Sequence, residues 1–120
     1  MIRWLGLAAA LMAPLTPVTA QTASEAAGAQ LRGIDKISGE IYEITIKTGQ
    51  AAELDRLKIT LTSCRYPVGN PAGDAFAALE VTDIIDGTRV FSGWMIASSP
   101  ALSAMDHPRY DIWVMRCTTS

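Results

Sequence analysis

Leu57, Ile59 and Leu61 alternate with Lys58, Thr60 and Thr62, the clearest period-two pattern in the chain. Such alternation predicts a half-buried strand over Leu54 to Cys64. Cys64 falls on the parity of the polar residues, so the register must shift if its sulfur is to reach a core. Upstream, Ile37 to Lys47 reads as a strand whose apolar parity changes near Ile41-Tyr42, as at a bulge or a corner between sheets. Tyr66 to Asp74, with two prolines and two glycines, reads as a loop. Ala75 to Asp83 and Arg89 to Ala97 then form a hairpin around Asp86-Gly87, a pair suited to the two positive-φ positions of a type I′ turn. In the last strand, Tyr110 to Cys117, the residues Trp113, Met115 and Cys117 share one face and Tyr110, Ile112 and Val114 the other. Apolar residues on both faces predict a well-covered strand, with Trp113 lying over Cys117.

Ser98 to Met105 breaks the β pattern. A serine followed by proline at the first helical position starts a short helix or 3-10 turn, and Asp106-His107-Pro108 ends it. The expected fold is therefore all-β. It is a small antiparallel sandwich or a partly open five-stranded barrel, with one short helix or 3-10 turn between the last two strands.

The N-terminal residues follow a different grammar. Arg3 precedes an apolar run from Trp4 to Leu15, and Val18-Thr19-Ala20 places small residues where signal peptidase cuts. The run is shorter than the roughly 20 residues that span a bilayer. Residues 1–20 are thus expected to be a secretory signal peptide cleaved after Ala20, residues 21–33 a flexible leader and residues 34–118 a single β domain. The mature chain would be periplasmic and carry no transmembrane segment. With Arg3 removed, nine basic residues face twelve acidic ones. No basic run exists, which sets aside nucleic acid and anionic lipid as partners.

Export also bears on Cys64 and Cys117, the only two cysteines. In an oxidising compartment an even count reads as a disulfide, the alternative being two free thiols. The spacing is too wide for a redox Cys-x-x-Cys site, and two thiols are too few for structural zinc.

Ser98, Ser99, Asp106, His107 and Asp111 lie within fourteen residues and contain the ingredients of a nucleophilic triad. No Gly-x-Ser-x-Gly elbow accompanies them. The structural reading has Ser98 or Ser99 capping the short helix and Asp106 and His107 closing it. A metal site on His107, Asp106 and Asp111 lacks further ligands. No cofactor is indicated. Trp94, Tyr110 and Trp113 add aromatic surface of the kind that stacks on sugars or anchors proteins, although Trp113 fits packing over the cysteine better and Trp94 fits core packing equally well. The candidate binding surface is accordingly Trp94, Ser98, Ser99, Asp106, His107 and Tyr110.

The run from Phe91 to Cys117, FSGWMIASSPALSAMDHPRYDIWVMRC, resembles the signature of the domain of unknown function 2155 family, small exported proteins of Gram-negative bacteria. Leu31 to Lys36 and the strand ending at Cys64 are similar to that family as well. The resemblance implies a periplasmic domain and assigns no activity, substrate or catalytic residue. The functional expectation is a non-enzymatic binding or envelope-assembly module, with an envelope protein or glycan as partner. The alternatives are a small hydrolase using Ser99 and His107, or a purely structural envelope protein.

Overall fold

The computed structural model describes residues 23–119. The expected signal peptide lies outside them. Eight strands form two antiparallel sheets: β1 (Ala23–Glu25), β2 (Gly28–Asp35), β3 (Ile41–Lys47), β4 (Ala51–Leu54), β5 (Leu57–Pro67), β6 (Phe76–Asp83), β7 (Arg89–Ile96) and β8 (Tyr110–Thr118). One sheet runs β1-β5-β6-β7, with β4 on the first half of β5; the other runs β3-β2-β8. A single 3-10 turn, Pro100–Ser103, joins β7 to β8.

The sandwich is the form adopted, without barrel closure. Its core is one cluster drawn from both sheets. Leu57, Ile59 and Leu61 of β5 are buried along with Leu79 and Val81 of β6, and Leu31, Ile112 and Val114 come from the opposite sheet. The alternation of β5 is thus the core-facing stripe of a half-buried strand.

Both cysteines reach this core through a bulge. In β5, Leu61 pairs with Leu79 and Ser63 with Ala78, so Thr62 is the extra residue. In β8, Val114 pairs with Leu31 and Arg116 with Gln30, so Met115 is extra. An extra residue reverses side-chain parity beyond it. Each bulge stands two residues before its cysteine, and Cys64 and Cys117 form a disulfide with their Cα atoms 5.8 Å apart. The same reversal corrects the expectation for Trp113. It turns to the face opposite Cys117 and lines a cavity of about 400 Å³ with Pro100, Ala101 and Ala104.

Four further expectations are corrected. The described residues form eight strands, not five. The described part of the expected leader holds β1 and most of β2, the central strand of its sheet. Its small residues reflect close packing: a Cβ on Gly28 would lie 2.5 Å from the Ile46 carbonyl oxygen, and one on Gly33 2.8 Å from Leu54 Cδ1. Ile37 to Glu40 is a hairpin loop before β3, which accounts for the parity change there. The two-residue turn is Asp55-Arg56, where Leu54 pairs with Leu57 and Asp55 has φ 53°. Aspartate tolerates that left-handed conformation. The Asp86-Gly87 hairpin instead has a longer loop, in which only Gly87 has positive φ.

Candidate functional site

Two hairpin loops built alike stand at one end of the sandwich. Asp35-Lys36-Ile37-Ser38-Gly39-Glu40 joins β2 to β3, and Asp83-Ile84-Ile85-Asp86-Gly87-Thr88 joins β6 to β7. In the first, the Asp35 amide donates to the Glu40 carbonyl (2.9 Å) and the Gly39 amide to the Asp35 carbonyl (2.7 Å). In the second, the Asp83 amide donates to Thr88 and the Gly87 amide to Asp83, both at 2.8 Å. Gly39 and Gly87 hold φ of 81° and 74°, the left-handed region where glycine has no Cβ penalty. The aspartate carboxylates accept amides within their own loops, Asp35 from Ile37 and Ser38, Asp83 from Ile85. Such Asx contacts shape a turn from its first residue.

Each aspartate is buried and held by an arginine from outside its hairpin. Arg109 gives its Nε (3.1 Å) and Nη2 (2.8 Å) to Asp35 Oδ2. Arg56, placed by the tight β4–β5 turn, gives its Nε to both oxygens of Asp83 at 3.1 and 2.9 Å. The Arg109 guanidinium, with the loop amides, outweighs burial and holds the Asp35 carboxyl well below the usual carboxylate range. Burial alone would raise Asp83. Hydrogen bonds from Arg56, the Ile85 amide and His107 override it and bring its pKa down to about 2.

His107 completes this floor. Its Nδ1 accepts the amides of Arg109 (3.0 Å) and Tyr110 (3.2 Å). The ring proton therefore belongs on Nε2, 3.3 Å from Asp83 Oδ2. Lys36 Nζ donates to the His107 carbonyl at 2.8 Å, tying the first loop to the same segment.

Between the loops lies a cleft of about 440 Å³. Ile37, Val90 and Pro108 supply apolar wall, and Arg56, Asp83 and His107 lie at its base. Val90 is the unpaired residue of a third bulge, since Val81 pairs with Phe91 and Thr82 with Arg89. Bulges commonly re-aim side chains at functional sites. Ile37 and Ile85 occupy the same position in their loops and are 75% and 70% exposed. Ile41 and Ile84 add exposed aliphatic surface at this end.

Only two of the six residues expected on the binding surface, Asp106 and His107, line the cleft. Tyr110 is fully buried and cannot present a surface. Its hydroxyl donates to Asp55, and burial together with that bond pushes its pKa up to about 12. Trp94 is 45% exposed, with the Arg65 guanidinium 5.7 Å from its ring centroid, but it does not border the cleft. Ser98 Oγ donates to Asp74 at 2.6 Å, and Ser99 stands at the N-cap without a side-chain cap bond. The expected serine cap is thus replaced by a tie to another loop. No hydrogen bond joins Ser99 to His107 among the described residues, and both ring nitrogens are already engaged. The residues that sequence reasoning missed are Ile37, Arg56, Asp83, Ile85 and Arg109. The repeated Asp-x-Ile-x-Gly spacing was the available signal for the loops; nothing local marks the arginines.

Comparison with known proteins adds a family match. A family model described as "Uncharacterized protein conserved in bacteria (DUF2155)" matches residues 29–117. The uncharacterized protein RP359 of Rickettsia prowazekii (strain Madrid E) is 31% identical over 87 residues, 70% of this chain and 56% of the relative. The chain thus spans a little over half the length of that relative. No solved structure gives a significant match.

Proposed function

The chain belongs to the DUF2155 family, and from that premise we propose that it is an exported, non-enzymatic binding module of the cell envelope. Its docking surface is the cleft between the two Asp-x-Ile-x-Gly loops. One observation carries this reading: the ionisable groups at the base of the cleft are spent on one another. Arg56 and His107 converge on Asp83, and Arg109 on Asp35. A general base needs a free nitrogen or oxygen within reach of the proton it takes, and His107 has none. What the cleft does offer is an ion-paired floor and apolar walls from Ile37, Val90 and Pro108, with Ile85 exposed on the neighbouring loop, the composition of a recognition site. Export draws on the N-terminal sequence and is favoured by the disulfide, since oxidising compartments preserve such bonds.

Two measurements test the proposal. Fractionation should recover a periplasmic chain beginning at Gln21, with no titratable thiol until reduction. A photo-crosslinking amino acid in place of Ile85 should give one reproducible envelope adduct. The same probe at Val68, exposed in the loop at the opposite end of β5, should not. A cytoplasmic chain, or equal labelling from both positions, would refute the reading.

A further inference from the structure

The charges around the cleft are unequally spent. Three arginines line it, and each has an acidic partner. Arg56 pairs with Asp83 at 2.9 Å, Arg109 with Asp35 at 2.8 Å, and Arg89 Nη2 lies 3.2 Å from Glu80 Oε1. Of the three lining acids, only Asp83 is paired. Asp86 and Asp106 make no ion pair among the described residues; Asp86 Oδ1 accepts the Thr88 amide, and its second oxygen is left over. The mouth therefore carries two uncompensated carboxylates beside the apolar surface of Ile37, Val90 and Pro108.

We infer that the cleft receives an extended segment of a partner protein in which a lysine or arginine stands next to an aliphatic residue. The cation faces Asp86 and Asp106, and the aliphatic side chain packs on Ile37, Val90 and Pro108. This rests on the cleft being the docking surface. The volume of about 440 Å³ suits a few side chains rather than a whole helix or strand. An anionic membrane would meet the two free carboxylates head-on. A metal ion would want more donors, and no three His, Cys, Asp or Glu side chains converge among the described residues.

The test uses the purified, disulfide-bonded protein, isotope-labelled, and three synthetic peptides of one host sequence. The first carries adjacent leucine and lysine; the second has glutamate for the lysine; the third has serine for the leucine. Amide shifts at Ile37, Asp86 to Val90, Asp106, His107 and Arg109 should appear with the first peptide. Affinity should fall about tenfold or more for the other two, the effect of losing a single good contact. The Asp86→Asn/Asp106→Asn variant, altered only at exposed positions, should lose the preference for lysine over glutamate while retaining that for leucine. Raised salt should act in the same direction. Equal binding of all three peptides, shifts elsewhere, binding to phosphatidylglycerol vesicles instead, or self-association through this end would each overturn the inference. If Ile85 still crosslinks in cells while the peptides fail to discriminate, only the partner chemistry is wrong. If crosslinking is absent too, the docking reading falls with it.

Discussion

His107 illustrates how much a side chain's partners decide. As the only histidine, set among serines and aspartates, it has the surroundings of a catalytic base. In the fold, two backbone amides hold Nδ1 and Asp83 faces Nε2, so the ring works as a brace. The isoleucines make a similar contrast. Ile59 is fully buried and Ile85 is mostly exposed. Ile59→Ala should lower unfolding free energy by about 2–5 kcal/mol, through lost transfer energy and a residual cavity. Ile85→Asp should change it by no more than about 0.5 kcal/mol. Urea titration of both variants checks the assignment.

At the scale of the element, β5 and β8 perform the same manoeuvre. Each keeps a clean alternation, inserts one unpaired residue, and so delivers a cysteine to the interior. The disulfide closes a separation of 53 residues. In the chain-entropy view that constraint is worth about 4 kcal/mol. The Cys64→Ala/Cys117→Ala variant should lose about this much, measured by denaturant midpoint against the oxidised protein. Deletion of Thr62 should be more telling. It leaves Leu61, Ser63 and Cys64 opposite Leu79, Ala78 and Ala77 in unbroken alternation, with Cys64 still facing Cys117, so the disulfide should form and no thiol should titrate before reduction. Two free thiols in that variant would contradict the bulge assignment.

For the whole molecule, the two Asp–Arg pairs fasten the cleft end of the sandwich. Asp35–Arg109 joins the β2–β3 loop to the start of β8, and Asp83–Arg56 joins the end of β6 to the β4–β5 turn. Both carboxyls have lowered pKa values in the folded protein, Asp83 at about 2. Below the ordinary carboxylate range the unfolded chain therefore binds protons that the native chain refuses. The stabilisation is present above about pH 4, the unfolded aspartate value, and is lost as pH falls toward 2. Thermal unfolding between pH 2 and 5 should show stability rising with pH. Asp83→Asn should have a shallower slope over this window whatever its absolute stability; an unchanged slope would mean that Asp83 carries none of the acid sensitivity.

The β6, β7 and β8 strands, the 3-10 turn and the all-β class were legible because alternation and proline placement act over a few neighbouring residues. The same local rule misled wherever one residue was added. Thr62 and Met115 look like ordinary members of their strands, and only the partner strands show them to be unpaired. The segment before residue 34 looked featureless because its small residues record the closeness of other chain segments, as at Gly28 and Gly33. The site was half legible for the same reason. Asp106 and His107 were found by chemistry, whereas Arg56, Asp83 and Arg109 are ordinary surface residue types until folding brings them together. By itself, then, the amino-acid sequence determined the β class, the last strands with the turn before β8, and the two cysteines available for pairing. These depend on side-chain periodicity and local turn chemistry. The tertiary structure alone decided the bulges, the paired loops and the cleft between them, because register and ion pairing are relations between segments distant along the chain.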